Sequence, residues 1–147
     1  MKNISLRAAQ RNRSNQKGST MVESGLILFV FVTMLIGICD VSQVLFIHHS
    51  VTERVRSAVR YGAINVYDRT AIENIVLYNA PAAPADGSSA AFSLDRTMVT
   101  VQRLDAGSSQ DRISVSVANY PLTLLTPFIA GNVKGLPISG VLPYEIN

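Results

Sequence analysis

Cysteine is nearly missing from this chain of 147 residues: Cys39 stands alone, so no intramolecular disulfide can brace the fold. It sits inside an apolar run, where a lone cysteine ordinarily serves as a small apolar side chain. Acidic residues are missing among Lys2, Arg7, Arg11, Arg13 and Lys17 at the N-terminus, and charge of either sign is missing from Gly25 to Cys39. There is no nucleophile elbow, no phosphate-binding loop and no paired metal motif, so nothing points to an enzyme. His48 and His49 are adjacent and face different sides of a helix, whereas a metal site needs them three or four apart. No other cluster of His, Cys and acids is present, so no metal or cofactor is expected. The segment Ile36–Asp40 approaches a lipoprotein processing box, but Ile38 stands where a small residue must precede the cysteine, so lipidation is not expected.

The formal charge of +3 is an average over two unlike parts. Five basic residues lie in the first 18, while residues 19–147 carry 8 basic and 10 acidic side chains, a net of −2. A basic surface for nucleic acid is therefore not expected. Lys and Arg remain on the cytoplasmic side of a membrane, which predicts a cytoplasmic N-terminus and an extracytoplasmic C-terminal part. Arg54, Arg56 and Arg60 follow the apolar run and reduce that bias.

What is present is one long apolar stretch. In the 15 uncharged residues from Gly25 to Cys39 only Thr33 carries a hydroxyl, and the apolar character continues past Asp40, Ser42 and Gln43 to Ile47. As a helix, Met21 to Ile47 would extend ~40 Å, enough to cross a bilayer core. The helical period continues through Val44, Val51, Val55, Ala58, Val59 and Gly62 and predicts an end between Tyr61 and Asn65. A second helix is predicted from Ala71 to Tyr78, with Thr70 and Glu73 as a capping box and Ile72, Ile75 and Val76 on its apolar face. Ala80 to Ala91 reads as a linker.

Beyond it the period changes to two. Thr97–Leu104 and Arg112–Tyr120 read as two strands of a hairpin, with Val99, Val101, Ile113, Val115 and Val117 forming an apolar face directed at the outer half of the helix. Tyr120–Gly131 reads as a packed connection containing one helical turn, and Leu136–Ile146 as a further strand whose prolines place it at a sheet edge. The predicted organisation is thus a cationic, disordered leader (1–18), a transmembrane helix (19–47) and an extracytoplasmic α+β domain (48–147).

Glu23 stands at the mouth of the apolar run, behind a Lys-Gly step, in "KGSTMVE". Glycine lets a protease approach the peptide bond closely. Cleavage after Gly18 would make Ser19 the first residue and Glu23 the fifth, with a new cationic α-amine of pKa ~8. In an assembly, that amine and the carboxylate of a neighbour would offset each other's desolvation. The plain alternative has Glu23 reaching the interface of an uncleaved single-span anchor. Asp40 lies 17 residues farther on, ~26 Å along a helix and near the far interface, where it serves as an interfacial acid or as an assembly contact.

Residues 17–64 resemble the TadE-like family, pilin-like proteins of the tight-adherence (Flp, type IVc) pilus system. Gly18, the Val22-Glu23 pair, the apolar helix, Asp40 and the Arg56–Ala63 segment "RSAVRYGA" carry the resemblance, as does the tail "VSVANYPLTLLTPF". Ser24 stands where the family usually has an aromatic residue, and no proline precedes Pro81. The resemblance implies cleavage between Gly18 and Ser19 by prepilin peptidase, a membrane aspartyl protease. It also implies that Glu23 recognises neighbouring subunits, with other pilin or pseudopilin subunits, the pilus assembly platform and the bacterial inner membrane as partners. The expected protein is a minor pilin or pseudopilin of pilin-like α+β fold, with two or three antiparallel strands. A pseudopilin of a secretion system and an uncleaved membrane-anchored accessory or binding domain are the alternatives.

Overall fold

The computed structural model describes the backbone of residues 3–125 and 133–145, with side chains from Ser19 onward. Helix α1 runs from Asn3 to Ile64 and helix α2 from Arg69 to Tyr78. Strands β1 (Val99–Leu104), β2 (Arg112–Val117), β3 (Pro121–Leu122), β4 (Val133–Lys134) and β5 (Ile138–Pro143) follow. The chain divides into two compact units, Met1–Val41 and Ser42–Asn147. The backbone of the expected disordered leader is helical from Asn3. Extending an existing helix costs far less than nucleating one, and the leader has neither a proline nor a glycine before Gly18.

In the second unit, β1, β2 and β5 form an antiparallel sheet in the order β1-β2-β5. Val99 lies opposite Val117 and Val101 opposite Val115, so the period-two pattern places Val99, Val101, Ile113, Val115 and Val117 on one buried face. The expected third strand is β5, which pairs with β2 at the edge and ends at Pro143. α1 crosses this face where the sheet has no side chain. A Cβ at Gly140 would sit 3.0 Å from Val59 and 3.3 Å from Val55. The helix has its own close approach at Gly62, where a Cβ would come within 2.8 Å of Ile72 and 3.1 Å of Ile113. Val51, Val55, Ala58 and Val59 join Ile72, Val76 and the sheet valines in one core.

α2 begins two residues earlier than the sequence pattern suggests. Its cap is Asp68, whose carboxylate accepts from the Thr70 and Ala71 amides at 2.8 and 3.2 Å. The expected Thr70–Glu73 capping box does not form. Glu73 is buried and turned to Arg69 at 2.8 Å and to Arg96 at 3.3 Å. A charged partner outcompetes a backbone amide for that carboxylate. The connection after Tyr120 opens as a short two-stranded ladder, β3 with β4, while the predicted helical turn falls partly outside the described residues.

Candidate membrane and assembly segment

The part of α1 in the first unit presents its apolar side chains outward: Leu26, Ile27, Leu28, Phe29, Val30 and Phe31 are all exposed. By length and composition, this part of the helix qualifies as a membrane span. The one hydroxyl in the uncharged run is satisfied locally, with Thr33 Oγ1 donating to the Phe29 carbonyl at 2.8 Å. That arrangement suits hydrocarbon, where a side chain has no water to bond. Gly25 and Gly37 have open space around them, so nothing among the described residues requires glycine there.

Gly18 lies within the helical backbone, and Ser19 and Glu23 are exposed one turn apart. Asp40 is 6% exposed. Glu23 and Asp40 are separated by ~26 Å of helix and by about 100° around it, so they form no joint site. Cys39 is exposed. Among the described residues, no three His, Cys, Asp or Glu side chains converge as metal ligands.

The second unit holds polar contacts that the sequence pattern does not reveal. Tyr120, 1% exposed, meets Nδ1 of His48 through its hydroxyl at 2.7 Å, and burial raises its pKa. His48 is thus half-buried against a partner 72 residues away, while His49 is exposed. Arg103 clamps Asp111 across the β1–β2 hairpin at 2.6 Å and lies 4.0 Å over the Tyr144 ring. The Arg103 guanidinium and the Gly107 amide hold the Asp111 carboxyl below its usual range. Arg96 donates to Asn74 at 2.6 Å as well as to Glu73, tying the segment before β1 to α2. Phe92 adopts a left-handed backbone (φ 55°, ψ 29°). That conformation costs a bulky residue about 1–3 kcal/mol. Its ring meets Phe46 edge-on at 6.0 Å, and the Arg54 guanidinium lies 5.8 Å above it.

These interactions hold the second unit together, whereas the described apolar side chains of the first unit and Glu23 are exposed. Residues 18–60 match the model of the TadE-like protein family. The resemblance read from the sequence is thereby borne out for this segment. The matched segment begins at Gly18, takes in Glu23 and Asp40, and ends at the exposed Arg60, one residue after the buried Val59. It is consistent with the tight-adherence pilus setting. No matching curated protein or solved structure was found.

Proposed function

We propose that this chain is a minor pilin or pseudopilin of the tight-adherence (Flp, type IVc) pilus, a structural and assembly protein rather than an enzyme. Prepilin peptidase cuts between Gly18 and Ser19, and the mature helix remains in the bacterial inner membrane with the second unit outside. Glu23 then meets the new α-amine of a neighbouring pilin subunit, which offsets the cost of a carboxylate at the edge of hydrocarbon. The protein supports pilus assembly on its membrane platform and, through it, surface adhesion. Asp40, already buried, is the weaker of the two acids as a contact between subunits.

The observation that carries this reading is the TadE-like match, which starts at the glycine where the cationic leader ends. The outward-facing apolar helix supports it, because such a surface needs lipid or other subunits to cover it. The test is the N-terminal sequence of the membrane-extracted protein from cells with and without prepilin peptidase. A start at Ser19 only when the peptidase is present is expected. A start at Met1 in both would overturn the processing step and favour the uncleaved anchor.

A further inference from the structure

One end of the second unit gathers apolar groups around Gln43. β3 runs along α1 toward that end: Tyr120 meets His48 at 2.7 Å, and Thr123 meets Gln43 at 3.1 Å. Three residues of strand advance ~10 Å and five of helix ~8 Å, so strand and helix travel together. Leu124, half-buried, and Leu125, 64% exposed, come next. Phe46, 63% exposed, carries the Phe92 ring on its edge. Between them lies a hollow of about 320 Å³ whose walls include Gln43, Phe46, Ile47, Phe92, Pro121 and Thr123.

The level of this end follows from counting along the helix. A hydrocarbon layer ~30 Å thick is crossed in ~20 residues, so a span with Glu23 at one interface reaches the other near Gln43. Aromatic rings are favoured in the headgroup layer, and leucines at its acyl boundary. Leu45 and Phe46 are exposed apolar residues at this end of the second unit. We infer that this end of the second unit is seated in the extracytoplasmic leaflet, with Phe46, Phe92 and Leu125 at the boundary between headgroups and acyl chains. The Gln43–Thr123 bond holds the end of β3 beside the helix at that level. The left-handed turn at Phe92 delivers its ring to the same layer. The occupant is lipid, because the length of the span below sets this patch at the boundary between headgroups and acyl chains. This inference rests on the single-span reading above.

The chain contains no tryptophan, so one introduced residue reports alone. Full-length variants Leu125→Trp, Phe92→Trp, Phe31→Trp and Leu104→Trp are placed in phosphatidylethanolamine–phosphatidylglycerol vesicles bearing brominated acyl chains. Leu104 is the water-side control, at the end of β1 next to the Arg103–Ile113 pair, and Ile113 packs by Gly62. Emission at positions 92 and 125 is expected to fall by about two-fold, most with bromine near the headgroup, with position 104 unchanged. Leu125→Trp carries the test if the strained turn rejects tryptophan at 92. Quenching at 31 with positions 92 and 125 as unaffected as 104 overturns the inference and leaves the span intact. No quenching at 31 overturns both. Quenching at 125 that arises only on dilution into excess lipid assigns the patch to a second copy and also overturns it.

Discussion

A methyl group at residue 135 would run into the Tyr120 ring, which is itself buried and tied to His48. Gly135→Ala is therefore expected to destabilise the protein by about 1–3 kcal/mol, visible as a lower midpoint in chemical denaturation. The same ring engages His48, so the substitution also disturbs the only described contact of that histidine with another element. Asp111 supplies a pH dependence of known sign. Its folded pKa is depressed, first by the Arg103 guanidinium and then by the Gly107 amide. Its contribution is present above the ordinary carboxylate pKa of about 4 and disappears as pH falls through the lower folded value. Asp111→Asn should lower stability at neutral pH yet lose less of what remains during an acid titration followed by circular dichroism. An equal acid loss in both proteins would remove Asp111 from the account.

At the scale of elements, the helix cap offers a sharp comparison. Asp68→Ala is expected to cost about 1 kcal/mol, and Thr70→Ala much less, because Asp68 holds the end amides and Thr70 is already inside the helix. Ile113→Ala should cost about 2–5 kcal/mol, since this fully buried side chain fills the space beside Gly62. The alternation of Ile113, Val115 and Val117 was legible in the sequence because β2 lies between two strands with one face on α1. The cap was not, because charged partners take the Glu73 carboxylate on which the expected capping box depended. Arg69 and Arg96 hold it at 2.8 and 3.3 Å, and Arg96 lies 23 residues downstream. The link between His48 and Tyr120 was hidden for the same reason: sequence patterns report neighbours along the chain, and these two meet only after β3 has folded back along the helix. For the candidate site, the leader, the glycine and Glu23 were readable as a pattern, and the structure adds that Glu23 is exposed.

For the whole molecule, the two units divide the work differently. The second contains its own core, while the described apolar side chains of the first are exposed. Glu23→Ala is expected to leave cleavage intact, with the N-terminus still at Ser19, and to reduce pilus-dependent surface attachment strongly. Normal attachment by that variant would remove Glu23 from assembly. The contact between Gly140 and the valines of α1 has a consequence for biogenesis. Val55 and Val59 must wait for a strand some 80 residues later before that part of their face is covered. As the chain is made, the helix comes first with its stripe bare and the β2 edge stays open until β5 follows, a state prone to association with other chains. Non-local closure of this kind is slow. The interval between synthesis of the helix and arrival of β5 is thus when a newly made chain is most open to wrong partners.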